Sequence, residues 1–338
     1  MRRNELDMCR VLACLMVLVI HLGSDAYFEC HLGDPAFAVL NAVSTAVRPG
    51  VPLFFMLSGA LFLGREKLDI KRLLVNNALR LELLFLLWSV LYAVISAVSA
   101  HGEMSVYGLA KTVLAGHYHL WFLHAMIMCY LFFPPVHAAL HGYRLNIKYM
   151  LALFFAFAIA WMNLLNAPQG MELLTQIPQN FNFYYLMYIG YAVWGYWLDG
   201  RKFGRKTLIA APLVYLVSTA LASALNHWFS VQQETAFGWL FDYFSIPNFI
   251  EASAIFCFFL ALRGHKFRSA KFMPALSDAT LGVYLIHPMV LHGFRLLGLE
   301  IDLLHPVWSY VYLTILLTAV CFIPVLIAKR IPVIKKLL

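Results

Sequence analysis

The segment Leu6-Asp7-Met8-Cys9-Arg10-Val11-Leu12-Ala13-Cys14-Leu15-Met16-Val17-Leu18-Val19-Ile20-His21-Leu22 decides the fold. It is long enough to cross the hydrocarbon core, which takes ~17–25 mostly apolar residues as a helix, yet it carries Arg10 and ends on His21. Nine further apolar runs follow, near Phe37 to Leu63, Val75 to Ser99, Leu120 to Val136, Tyr149 to Leu165, Phe181 to Leu198, Leu208 to Leu225, Phe241 to Leu262, Leu276 to Phe294 and Val307 to Ala328. The 338 residues are 62% apolar and 12% charged, against ~45–50% and ~25% in a soluble domain. Mean hydropathy is +0.75. This excludes a soluble globular enzyme, and also a membrane anchor carrying a water-soluble catalytic domain. The sequence predicts an all-α, polytopic membrane bundle of about ten helices spanning 1–338 as a single transmembrane domain, with no appended soluble domain. Function must sit within the bundle.

A formal charge of +8 could suggest nucleic acid, but the positions of the charges read as topology, with no nucleic-acid partner. If the first helix enters from the cytoplasm, 20 of the 25 basic residues fall on that side, including Arg2, Arg3, Arg65, Lys71, Arg72, Arg201, Arg205, Arg263 and Lys329. The opposite loops carry Lys111 and Arg295 beside Asp25, Glu29, Asp34, Glu103, Glu172, Glu234, Glu300 and Asp302. The excess of positive charge in cytoplasmic loops thus predicts both termini on the cytoplasmic side. A cleavable signal peptide is the competing reading of the first segment, but Asp7, Arg10 and His21 interrupt it. Arg10, Arg48 and Arg80 remain, inside or at the edge of spans. A charge at the bilayer centre costs at least ~2.5 kcal/mol on insertion scales and normally faces a polar interior where it does something.

Arg10 and His21 are eleven residues apart, a rotation of about 1100°, only ~20° past three turns, so both lie on one helix face about 16 Å apart along the axis. Asp7, at i−3, can pair with the Arg10 guanidinium. The bland reading is an interfacial ion pair and a snorkelling histidine. The functional one is a face presenting a cation for phosphate and, farther out, an imidazole able to take a proton from a hydroxyl. A long phosphorylated donor such as coenzyme A spans that distance.

The second run contains Arg48-Pro49-Gly50-Val51-Pro52, a backbone break of the kind tolerated at membrane depth where it is buried or lines a cavity. Ser58-Gly59 reads as close helix packing in preference to a nucleophile. Arg72 and Arg80, eight residues and roughly 80° apart on a helix, could face one cytoplasmic vestibule as a phosphate clamp. Near the fourth run stand His117, His119, Trp121 and His124; the three histidines share no helical face and have no acidic or cysteine partner, so no metal site is expected. A belt of interfacial aromatics or a sugar-stacking surface fits Trp121 better. His287 lies deep in the ninth run beside Tyr284, and burial with a structural hydrogen bond is the first reading. The six cysteines show no disulfide framework or metal spacing.

Taken together, Asp7-x-x-Arg10 with Arg10-x10-His21, Val51-Pro52-Leu53-Phe54-Phe55-Met56-Leu57-Ser58-Gly59, His119-Leu120-Trp121-Phe122-Leu123 and Tyr284-Leu285-Ile286-His287 resemble the acyltransferase-3 family of bacterial integral-membrane O-acyltransferases. The chain is most similar to its enterobacterial common antigen O-acetyltransferase type. The resemblance implies a multi-pass protein of the bacterial inner membrane. It would move acetyl from cytoplasmic acetyl-CoA, a donor substrate and not a bound cofactor, to a hydroxyl of an extracytoplasmic or lipid-linked glycan. It implies His21, Arg10 and Asp7 as catalytic residues, with Arg10, Arg72 and Arg80 on the donor. Arg48, Ser58, His119, Trp121, Tyr284 and His287 would face the substrate. The family often has Arg-x-x-Arg at the start of the third span; here Asn77 precedes Arg80, leaving Arg72 as the substitute. His21 either deprotonates the acceptor or carries the acetyl group itself. The alternative from another class is a transporter or flippase for a small anion or lipid-linked sugar, for which paired repeats would be expected; no two-fold similarity between the halves is visible. A non-catalytic sensor is the third.

Overall fold

The computed structural model describes residues 2–99, 105–143, 145–160, 162, 184–265, 272–302 and 304–331. All regular structure among them is helical. In chain order the main helices are α1 (Asn4–Glu29), α2 (Pro35–Val47), α3 (Gly50–Phe62), α4 (Arg80–Ser99), α5 (Val106–Ala115), α6 (Trp121–His137), α7 (Ile147–Phe154), α8 (Tyr184–Asp199), α9 (Arg205–Gln232), α10 (Ile246–Ala261), α11 (Met273–Leu296) and α12 (Pro306–Ala328). Among the described residues, seven stretches are long and apolar enough to cross a membrane: Asn4–Glu29, Pro35–Phe62, Ile70–Val98, Tyr107–Gly142, Arg205–Gln232, Trp239–Ala261 and Pro306–Ala328. The other three expected runs fall on α7 with its π-helical continuation Phe155–Ala160, on α8 and on α11. Parts of the runs Tyr149 to Leu165 and Phe181 to Leu198 lie outside the described residues. α11 is less apolar because Ser277, Asp278, Thr280 and His287 interrupt it, and its polar face turns inward. The architecture is a polytopic membrane helix bundle.

Three local irregularities shape the interior. At Arg48-Pro49 the second span breaks into α2 and α3, because Pro49 and Pro52 lack the amide hydrogens that a continuous helix needs. Before α4 the chain forms a π-helical turn over Leu74–Leu79, a local widening frequent at functional sites. After α5, Gly116 adopts a positive φ of 74°, and a Cβ there would meet the Phe85 ring at 2.6 Å. That turn packs against α4 at Phe85 and leads the chain into His117 and His119.

Helices in lipid gain little from apolar burial and associate through close packing. α3 and α8 show this: a Cβ on Gly59 would stand 1.8 Å from the Ala192 carbonyl, and one on Gly195 2.2 Å from that of Met56. The small residues therefore let the two backbones touch, as the Ser58-Gly59 pair predicts. α9 is the opposite case, with Ile209, Leu213, Leu216 and Leu221 exposed as lipid would require.

Charge divides the bundle end from end. Arg2 bridges Asp7 at 2.7 Å and Asp278 at 2.8 Å, and Arg3 bridges Glu5 at 2.8 Å and Asp199 at 2.7 Å. Arg263 joins Asp199, and Lys329 Nζ donates to the Asp278 carbonyl at 2.7 Å. The helix ends that the charge pattern assigns to the cytoplasm therefore lie together. Arg295 pairs with Asp25 at the far end. There Cys30 closes α1, its amide donating to the Ala26 carbonyl; burial and nearby Asp34 push its thiol up from the ordinary range.

Candidate active site

Between α1, α3, the π turn, α6 and α11 lies a cavity of about 510 Å³. Arg10, Arg65, Arg80 and Lys329 line it at the end that the charge pattern assigns to the cytoplasm, with Asn76 and Asn77 between them. His21, His119, Trp121, Tyr243 and Tyr284 line the outer end, and Val17, Leu18, Phe54, Phe122 and Met126 contribute apolar wall. Arg10 and His21, about 16 Å apart along α1, thus open onto one continuous space. Of the inner cations, Arg10 and Arg80 are left available. Among the described residues neither Arg10 nor Arg80 forms an ion pair; Arg10 makes one long hydrogen bond, 3.3 Å to Ser277 Oγ, and Arg80 Nε is buried without a partner. Arg65 is held by a 3.0 Å bond from Nε to the Leu61 carbonyl. A buried guanidinium that lacks acceptors is costly unless a ligand supplies them.

Four imidazoles meet at the outer end. The His21 ring lies 5.0 Å from that of His287 and 5.4 Å from Tyr118. His119 lies edge-on to His287 at 5.3 Å, and its Nδ1 is 2.8 Å from Nδ1 of His117. The Tyr284 hydroxyl donates to the His119 carbonyl and the Tyr92 hydroxyl to that of Leu285 at 2.8 Å, pinning the histidine turn and α4 to α11. His119 Nε2 is buried and unpartnered. Among the described residues no group of three or more His, Cys, Asp or Glu side chains is arranged to hold a metal ion. Beside the imidazoles, Trp121 stacks with Tyr243 at 5.8 Å and with Tyr185 at 6.2 Å, a flat aromatic surface at the mouth. The arrangement offers anion binding at one end and proton transfer beside an aromatic platform at the other.

A family model for an acyltransferase domain, acyltransferase-3, matches residues 3–326. The chain belongs to the acyltransferase-3 family. It is therefore a multi-pass membrane acyltransferase. Neither a curated protein nor a solved structure matches it.

Within this acyltransferase the residues singled out from sequence divide into two groups. Arg10, His21, Ser58, Arg80, His119, Trp121 and Tyr284 all line the cavity. The Ser58 hydroxyl donates to the Phe54 carbonyl at 2.9 Å, the bond of a helix-packing serine. Four expectations need correction. Asp7 does not pair with Arg10: Arg2 reaches it from the chain ahead of α1, while Arg10 extends into the cavity toward α11. Arg72 is exposed and outside the cavity wall, its amide capped by Asp69 at 2.9 Å; the π turn between it and Arg80 breaks the 100° phase that placed them together. Arg48 also lies outside the wall, its guanidinium 4.5 Å over the Phe241 ring. His287 is fully buried behind the wall. In place of Arg72 the cavity has Arg65 and Lys329, and Asn77 itself lines it beside Asn76. The site also gains Tyr243, Tyr130 and Asp278, which come from segments remote from one another in sequence and had no local signal.

Proposed function

We propose that the protein moves an acetyl group from cytoplasmic acetyl-CoA to a hydroxyl of an extracytoplasmic or lipid-linked surface glycan, in the bacterial inner membrane. The observation that carries this reading is the single cavity with Arg10 and Arg80 at its cytoplasmic end and His21 at its outer end. Its volume suits a small-molecule substrate, and its length suits an extended pantetheine arm. Arg10, Arg80, Arg65 and Lys329 would hold the coenzyme A phosphates, the apolar wall would hold the arm, and Trp121 with Tyr243 would stack on an acceptor sugar. Nothing at the outer end singles out the enterobacterial common antigen among such glycans. His21 takes the hydroxyl proton as the oxygen bonds to the acetyl carbon; the carbon–sulfur bond then breaks and the proton passes to the thiolate. Of the groups considered for the tetrahedral oxyanion, Ser58 is committed to a carbonyl and Arg48 lies outside the cavity, which leaves His119 Nε2.

Thermal shift with acetyl-CoA on the purified, detergent-solubilised protein tests the donor. A ligand at 100-fold over Kd adds about 2.7 kcal/mol. The wild type should shift, and Arg10→Ala and Arg80→Ala should shift by about half as much or less. A folded wild type that shows no shift at millimolar acetyl-CoA would turn the reading toward transport through the same cavity.

A further inference from the structure

His287 sits directly behind His21, 0% exposed and separated from the cavity by the wall itself. Its Nδ1 is 2.6 Å from the Tyr284 carbonyl. A carbonyl only accepts, so Nδ1 carries the proton, and the neutral ring presents Nε2 as a lone pair. That Nε2 is buried and has no hydrogen-bond partner among the described residues. Native proteins rarely leave a buried acceptor so, because it forfeits its hydration without return. The nearest rings are His21 at 5.0 Å, inclined by 34°, and His119 at 5.3 Å, edge-on at 83°. His119 has its Nδ1 against His117, and its Nε2, also without a partner among the described residues, is the donor the proposed reaction assigns to the oxyanion, which leaves His21. No side-chain hydrogen bond among the described residues fixes the His21 ring. Two imidazoles joined through an N–H···N bond of ~2.9 Å have centroids roughly 5 Å apart. The separation of His21 and His287 matches that figure; as they stand the rings do not bond, and the pairing calls for a turn of the His21 ring about its Cβ–Cγ bond.

We propose that His287 is a positioning residue for His21: its Nε2 accepts the hydrogen bond of one His21 ring N–H, so that the other His21 nitrogen faces the cavity as a lone pair. The proposal rests on the acetyl-transfer reading above. In that reaction the cavity-side nitrogen of His21 takes the proton of the acceptor hydroxyl while the carbon–oxygen bond forms, and returns it to sulfur as the carbon–sulfur bond breaks. The second nitrogen keeps its proton throughout, held by His287. His287 touches neither donor nor acceptor. It selects the tautomer of His21 and supports the imidazolium that forms during transfer, the task that the hydrogen-bonding partner of a catalytic imidazole performs generally.

The test uses the full-length protein in nanodiscs, labelled with ¹⁵N only in histidine, together with thiol release from acetyl-CoA in membrane vesicles that supply their own glycolipids. His287→Leu removes the acceptor, and His287→Gln keeps an amide oxygen able to replace it. Nitrogen shifts should show one His21 tautomer in the wild type and in His287→Gln, and a mixture in His287→Leu. In parallel, kcat should fall ~100-fold or more in His287→Leu, with the KM for acetyl-CoA within ~2-fold of wild type, and His287→Gln should restore most of it. A single His21 tautomer in folded His287→Leu, or wild-type kcat there, or a loss confined to KM, would overturn the proposal. If the wild type releases no thiol, the acetyl-transfer reading fails instead, and the tautomer comparison still decides the His21–His287 pairing by itself.

Discussion

At its inner end the cavity meets Arg10, Arg65, Arg80 and Lys329, cationic side chains; at its outer end it meets His21 and His119, whose ring nitrogens can take or give a proton, among Trp121, Tyr243 and Tyr284. Guanidinium groups stay protonated and match phosphate oxygens in geometry, so they can bind but cannot exchange protons. Imidazoles do the reverse. Placing the two kinds of group about 16 Å apart on one helix separates the holding of a substrate from its reaction. Only a molecule long enough to reach from one end to the other engages both.

That division can be broken by mutation, beginning with the outer end. His21→Ala should lower kcat for acetyl transfer by ~10²–10⁴-fold while leaving the acetyl-CoA thermal shift in place; full turnover in that variant would remove the imidazole from the chemistry. Arg80→Ala should act on the other end, raising the KM for acetyl-CoA by ~10–100-fold, as expected for hydrogen bonds to a charged group, with kcat little changed. A loss in kcat with KM intact would show that the cationic end does more than hold. Trp121→Ala should weaken the acceptor alone, by ~3–10-fold in its KM, the range of one aromatic contact, and titration of glycolipid at saturating donor would read it. Arg72→Ala should change either KM by no more than ~2-fold, because the side chain lies outside the cavity. A larger effect would reinstate Arg72 as a donor ligand and question the role of the π turn.

The fold class was legible because apolar runs of spanning length state it directly, and the helical break was legible in Arg48-Pro49-Gly50-Val51-Pro52. The Arg10 and His21 alignment was legible for a related reason: both residues sit on one regular helix, where spacing is geometry. Arg72 was misplaced because six π-helical residues, Leu74–Leu79, carry no sequence mark that distinguishes them from α-helix. The partner of Asp7 was misread because Arg2 lies before α1, in extended chain that helical spacing does not govern. Arg65, Lys329 and Tyr243 reach the cavity from three separate helix ends, so only tertiary packing brings them to it. For His287, burial and a structural hydrogen bond were readable from its place deep in an apolar run, but its adjacency to His21 spans two helices that are more than 250 residues apart along the chain.

The π turn before α4 has a further consequence for how relatives of this chain should be aligned. A π turn behaves as one residue inserted into an α-helix. Deleting a single residue between Leu74 and Leu79 would leave the hydropathy, the charge and the helix itself almost untouched. It would also rotate everything after it by about 100° and carry Arg80 off the cavity wall. Two homologues can therefore share every motif around this helix and still differ in whether the conserved-looking arginine meets the donor, and a gap of one position in an alignment is the place to look for that difference.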